Sequence, residues 1–200
     1  MRSQTSTADK IGSGLALLLI DVINDFAFPE APELLRYALP AARKIAKLKS
    51  RLTSKGIPII YVNDNFGRWR SDFAQQVEHC LASGQIGRAV TELLRPNPDD
   101  YFVLKPKHSG FYSTTLEVLL QQLEVRKVIL CGFAGNICVL YTANDAYMRG
   151  LEIVIPSDCV ASETAQANRL ALNQMKRFLK ADIVDSHNFR LESNAQAARK

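Results

Sequence analysis

Three residue types that acyl transfer needs stand at three well-separated points of the chain. Asp21 ends the run LLLID, Lys105 ends YFVLK, and Cys138 lies within CGFAGNICVLY. A thiol with an ordinary pKa near ~8.5 becomes a nucleophile when a helix N-terminus and a cation favour the thiolate. Cys138 follows a turn of small residues, Gly132, Ala134 and Gly135, and precedes an apolar, helix-compatible stretch, while Lys105 supplies a cation. A carboxylate beside the thiol takes its proton and later returns it to a leaving amine, the cycle that amide C–N hydrolysis through a thioester requires. Asp21 is placed for that role. Backbone N–H groups of the GFAGN turn would bind the oxyanion, because small residues let the backbone approach a ligand closely.

Each residue also has an ordinary structural reading. Cysteine is among the most buried residue types, an aspartate after a strand caps turns, and a lysine is commonly a surface cation. Chemistry is favoured only by their conjunction at the carboxyl ends of three different strands, where ligands bind in open α/β sheets. The elements that would do this positioning are visible as short apolar runs alternating with longer amphipathic segments, the pattern of a parallel sheet covered by helices on both faces. Strands are expected at residues 15–21, 57–62, 101–105, 127–132, 151–156 and 182–185. Most are nearly continuous in apolar residues, as doubly buried strands are. The expected fold is therefore α/β, a three-layer, doubly wound, mainly parallel six-stranded sheet of Rossmann-like type.

Helices are expected at 33–54, with Pro40 as a kink or restart and Gly56 as the stop, and at 136–149 and 163–179. Thr114 and Glu117 have capping-box spacing ahead of Val118, Leu119, Leu120 and Leu123. The loops at 22–32 and 63–70 are long, and long loops at strand ends often carry sites. With no linker or repeat, residues 1–200 read as one domain with its core at about 14–186 and peripheral termini.

Composition bounds the partners. The 25 Lys and Arg exceed the 20 Asp and Glu, for a formal charge of +5, but the charges are interspersed. The basic stretches RKIAKLKSRL and AARK read as solvated surface, so no nucleic-acid partner is expected. The apolar run LALLLI stops at Asp21, far short of the ~20 residues a membrane span needs, and it is not preceded by a basic n-region with a cleavage site downstream, so secretion is not expected. A cytoplasmic chain without a membrane partner is expected. Cys80, Cys131, Cys138 and Cys159 form no C-x-x-C pair and His79, His108 and His187 are dispersed, so free thiols and no zinc site are expected.

The motifs LLLIDVINDF, VLKPKHSGFYSTTL and GFAGNICV followed by TANDAYMRG resemble those of the isochorismatase-like cysteine hydrolase superfamily, which includes nicotinamidases and N-carbamoylsarcosine amidase. The resemblance spans about residues 14–186. It implies an isochorismatase-like fold, a catalytic triad of Asp21, Lys105 and Cys138, and a cis peptide between Phe133 and Ala134. The backbone amides of Ala134 and Cys138 would then form the oxyanion hole. Two departures stand out. Ile23 occupies the position where the family usually has glutamine. The segment VNDNFGRWRSDF lacks the histidines with which nicotinamidases hold a metal, so no metal or other cofactor is expected.

Phe26, Asn63, Asp64, Trp69, His108, Tyr112, Phe133 and Asn136 are the expected substrate-binding residues, with Phe111 a further candidate and core packing an equal reading for Phe26 and Phe111. His108 reads as a loop histidine, since the base role is already filled, and Asn144 and Asp145 as helix-packing and capping residues.

The expected activity is hydrolysis of a small carboxamide or carbamoyl compound. The alternatives are a non-catalytic or regulatory small-molecule-binding member, a vinyl-ether hydrolase of isochorismatase type, and a dinucleotide-binding protein suggested by Gly12-Ser13-Gly14. The last is disfavoured because those glycines precede the strand and position 17 is leucine. The family analogy further implies a homo-oligomer, a dimer or tetramer.

Overall fold

The computed structural model describes residues 14–67, 69–70, 72–82 and 84–191. Gly12 and Ser13 of the glycine pair and the C-terminal AARK lie outside the described residues. Gly14 opens the first strand with φ +62°, and its carbonyl accepts the N–H groups of Arg126 and Lys127 at 2.7 and 2.8 Å.

In chain order the elements are β1 (Leu15–Ile20), α1 (Ala31–Thr53), β2 (Ile59–Asp64), α2 (Phe73–Leu81), α3 (Arg88–Leu93), β3 (Tyr101–Lys105), α4 (Leu116–Gln122) and β4 (Lys127–Phe133). A π-helical turn (Gly135–Val139), α5 (Leu140–Met148), β5 (Glu152–Pro156), a 3₁₀ turn (Ser157–Cys159), β6 (Val160–Ala161), α6 (Ala165–Phe178) and β7 (Asp182–Val184) follow. The strands pair in parallel in the order β3-β2-β1-β4-β5-β7, and the two-residue β6 pairs with the end of β4.

Strand alternation divides the apolar residues between two cores. In β1, Leu15, Leu17 and Leu19 face α1 and the residues of α2 and α3, whereas Ala16, Leu18 and Ile20 face α4, α5 and α6. β2 and β4 divide in the same way, with Ile59, Tyr61, Ile129 and Cys131 in the first core and Ile60, Val62, Val128 and Leu130 in the second. Each fully buried Leu or Ile of this kind stabilises the fold by about 1.5–3 kcal/mol. The chain winds from β1 outward to β3, then restarts at β4 and winds the other way. The boundary between β1 and β4 is thus the topological switch point, where open parallel sheets bind ligands.

The α/β class and the parallel pairing agree with the sequence reading, while several boundaries differ. The sheet has a seventh strand, since β6 is too short to register as an apolar run. β2 runs two residues further than expected, so Asn63 and Asp64 belong to the strand. α1 is one continuous helix through Pro40. The expected helix at 136–149 begins as the π-helical turn, and α2 and α3 occupy a region whose periods are too short to stand out in sequence. There is no capping box at Thr114: its hydroxyl accepts the N–H of Leu116 at 3.2 Å and donates to the Gly110 carbonyl, and Glu117 pairs with Arg149 at 2.8 Å. Among the described residues no helix is long and apolar enough to cross a membrane.

The RKIAKLKSRL stretch lies on α1 and is not uniformly solvated. Lys49 is buried, with its Nζ 2.7 Å from Asp100, 3.0 Å from the Arg95 carbonyl and 5.2 Å above the Tyr61 ring. Removing one partner of a buried pair strands the other charge, which costs about 3–5 kcal/mol. Lys49→Met is therefore expected to lower stability by about that amount, read as the urea midpoint. A double variant with Asp100→Asn should recover most of the loss, and a midpoint unchanged in the single variant would show the pair to be inconsequential.

Candidate active site

The register of the parallel sheet carries the site. Asp64 pairs with Lys105 across β2 and β3, and Ile20 pairs with both Val62 of β2 and Gly132 of β4. Asp21, the next residue, therefore emerges at the switch point beside the ends of three strands. It adopts φ +51°, which Asp tolerates better than most side chains. Gly132, with φ +126°, permits the close crossing of β1 and β4: a Cβ there would lie 2.0 Å from the Ile20 carbonyl oxygen. The Phe133–Ala134 peptide that follows is cis.

Lys105 Nζ is fully buried and has three acceptors for its three protons. Asp21 Oδ2 lies at 2.8 Å, Asp64 Oδ2 at 3.5 Å and Cys138 Sγ at 3.6 Å. The other oxygen of Asp21 accepts the Asp64 N–H at 2.6 Å. Burial alone would push the Lys105 ammonium down, but Asp21 first, then the Cys138 sulfur and Asp64, hold it above its ordinary range. Burial raises the Asp21 carboxyl, against the pull of Lys105. Burial, then the Asp21 charge, also raises the Cys138 thiol, and Lys105 only partly opposes them. The sequence reading has a helix terminus and Lys105 favouring the thiolate; Lys105 does so here, but burial and the Asp21 charge outweigh it. Cys138 sits in the π-helical turn, ahead of α5, where burial favours the thiol over the thiolate.

The turn itself is held from behind by residues the sequence did not single out. β6 brings Ser162 to accept the Asn136 N–H at 3.2 Å, Glu163 accepts from Asn136 Nδ2 at 3.1 Å, and Ser162 Oγ donates to Asn168 Oδ1 at 3.1 Å. Gly135 is packed so tightly here that a Cβ would meet Asn168 Oδ1 at 2.5 Å. Asn136 thus braces the turn, although its Oδ1 is buried without a partner. Thr142 Oγ1 donates to the Cys138 carbonyl at 2.7 Å and accepts the Gly110 N–H at 3.0 Å, while Ser109 donates to Asp145. These contacts tie the loop after β3 to the helix after the thiol.

Of the expected substrate-binding residues, Asp64 and His108 lie at the constellation. His108 Nδ1 is 3.9 Å from Cys138 Sγ, with its exposed ring against Tyr141 at 5.5 Å between centroids. Asn63 is not available to a ligand: its buried amide accepts the Ile23 N–H at 3.1 Å and donates to the Ile23 carbonyl at 2.7 Å. It therefore holds the loop after Asp21, while the Ile23 side chain joins the first core.

Phe26 and Phe133 are buried and pack on each other at 6.5 Å, so both serve the core. Phe111 is likewise buried, with the Arg149 guanidinium 4.7 Å from its ring. Trp69 and Tyr112 project outward, 77% and 57% exposed. Among the described residues the four cysteines form no disulfide with one another, and no three His, Cys, Asp or Glu side chains gather as a metal cage. At the end of β2, where the resemblance would put the metal-holding residues of a nicotinamidase, stand Asp64, Asn65 and Phe66. The Asp64 carboxylate is already engaged by the Phe66 N–H at 2.7 Å and by Lys105, so these residues do not fit a metal ion.

The parallel order and the constellation at the switch point together define an α/β protein of the isochorismatase-like class. The chain belongs to the isochorismatase family: the Isochorismatase domain matches residues 15–187. It is 42% identical over 178 residues to the isochorismatase family protein YaaI of Bacillus subtilis (strain 168), covering 89% of this chain and 94% of that one. Among solved structures it is similar to N-carbamoylsarcosine amidase from Thermoplasma acidophilum, with TM-score 0.65, 27% identity, and 88% and 98% of the two chains covered. It is also similar to a pyrazinamidase/nicotinamidase from Streptococcus mutans UA159, with TM-score 0.67, 27% identity, and 85% and 99% covered.

Proposed function

We propose that the protein is a cysteine-dependent hydrolase that cleaves the C–N bond of a small carboxamide or carbamoyl compound through a thioester on Cys138. The observation that carries this reading is the contact of one buried ammonium, Lys105, with the Asp21 carboxylate at 2.8 Å and the Cys138 sulfur at 3.6 Å. Similar solved structures whose names include amidase support the reaction class.

In this mechanism the Cys138 thiol gives its proton to Asp21 as sulfur attacks the carbonyl carbon. The C–S bond forms, and the carbonyl π pair moves to oxygen. The backbone amides of Ala134 and Cys138 receive that charge, as an oxyanion hole does. When the pair returns, the C–N bond breaks and the nitrogen leaves with the proton from Asp21. Lys105 keeps Asp21 in place and offsets charge on the sulfur as it attacks. Because burial favours the thiol over the thiolate, proton transfer and attack are coupled steps. Water then cleaves the thioester and restores the thiol.

A screen of small amides, ureas and carbamoyl compounds for ammonia release tests the reading. Turnover of at least one compound is expected, and a broad panel without turnover would remove it. The pH profile follows from Asp21, which must be ionised to accept the proton. Its carboxyl is held above the ordinary carboxylate range, so kcat/KM is expected to fall on acidification through a pKa above ~3.9. An acid limb at or below the ordinary value would contradict Asp21 as the proton acceptor.

A further inference from the structure

We propose that His108 is a second catalytic residue, the base that activates water against the thioester; this rests on the Cys138 nucleophile proposed above. The two candidate bases approach the sulfur from different environments. Asp21 and Lys105 are enclosed, at 5% and 0% exposure, whereas His108 lies on an exposed loop with Nδ1 3.9 Å from the same sulfur. Water attacking a thioester on Cys138 arrives from the exposed side. The thioester carbon is bonded to Sγ, so it stands within one water of Nδ1, the reach required of a general base. The loop that presents His108 is fixed to α5 through Ser109 and Asp145 and through Gly110 and Thr142. Thr142 in turn bonds the Cys138 carbonyl, so imidazole and sulfur are tied to one scaffold.

The protons balance on this one ring. With its own proton on Nε2, the neutral imidazole presents the Nδ1 lone pair. A water O–H bond breaks as its proton moves to Nδ1, and the water oxygen bonds to the thioester carbon while the carbonyl π pair moves to oxygen. When that pair returns, the C–S bond breaks and the sulfur takes the proton from Nδ1. The products are the free acid and the Cys138 thiol. Asp21 then serves acylation and His108 serves deacylation.

The test uses p-nitrophenyl acetate, whose leaving group departs without needing a proton, so that deacylation is read separately. His108→Asn keeps a hydrogen-bonding atom near the Nδ1 position but cannot take a proton at neutral pH. Its turnover is expected to fall by about 10²-fold, the lower range for general-base assistance, with a larger steady-state fraction of acetylated Cys138 than in the wild type by mass spectrometry. Added imidazole should restore part of the rate, because the loop is open to solvent. Unchanged turnover, or a slower protein without acetyl accumulation, would overturn the role of His108. A Cys138→Ala protein that turns over the ester like the wild type would instead overturn the nucleophile, an outcome read in a different variant.

Discussion

Cys138→Ala is expected to abolish amide turnover while leaving the fold intact. Removing the nucleophile of a covalent mechanism costs on the order of 10⁶-fold in kcat, because the remaining groups have no bond to make. The fold should tolerate the change. Cys138 is only partly buried at the edge of the second core, and the π-helical turn is held by main-chain and neighbouring contacts that do not involve the sulfur. Loss of one sulfur at such a position falls within the small end of mutational effects, about 1 kcal/mol. Ammonia release and the thermal midpoint should therefore separate, the first falling to background and the second moving little. Retained turnover in Cys138→Ala would end the thioester mechanism whatever the substrate.

The second large effect is expected at Lys105, and here activity and stability fall together. Lys105 is fully buried between Asp21 at 2.8 Å and Asp64 at 3.5 Å. Lys105→Met leaves the buried Asp21 carboxylate without its counter-charge, which costs about 3–5 kcal/mol when a buried pair is broken. The pH dependence has a definite sign. Asp21 is already raised by burial, and losing Lys105 raises it further.

A carboxyl whose folded pKa lies above its unfolded value favours folding in acid, and that contribution is lost as pH rises through the folded pKa. The urea midpoint of Lys105→Met should therefore lie nearest the wild type in mild acid and fall away towards neutral pH. Adding Asp21→Asn removes the stranded charge and should recover most of the stability without recovering activity. A deficit independent of pH would mean that lost packing dominates instead.

The two expectations at Lys105 and Lys49 rest on the same physics in different places. Each is a buried ammonium with an aspartate, but Lys49 meets one carboxylate, a carbonyl and a ring, whereas Lys105 meets two carboxylates and a thiol. Only the second arrangement has an atom that can form a bond to substrate. In sequence both were lysines in basic or apolar surroundings, and the strand-end position of Lys105 and its place in the VLKPKHSGFYSTTL motif distinguished it.

The amino-acid sequence by itself determined the α/β class, the parallel character of the apolar strands and the family, because continuous apolar runs and short local motifs are recorded along the chain. It also marked Asp21, Lys105 and Cys138 as strand-end residues of complementary chemistry. What only the tertiary structure decided were the partners made across the sheet. Asn63 was expected to meet a ligand and instead brackets the Ile23 peptide, 40 positions away. Asn136 is braced by Ser162 through a two-residue strand too short for any pattern. The protonation of Cys138 likewise depended on burial and on the distance to Asp21, which no linear spacing encodes. Periodicity reports which face of an element is apolar. Register and burial, which set whether a polar side chain meets solvent, a ligand or another backbone, exist only once the strands are side by side.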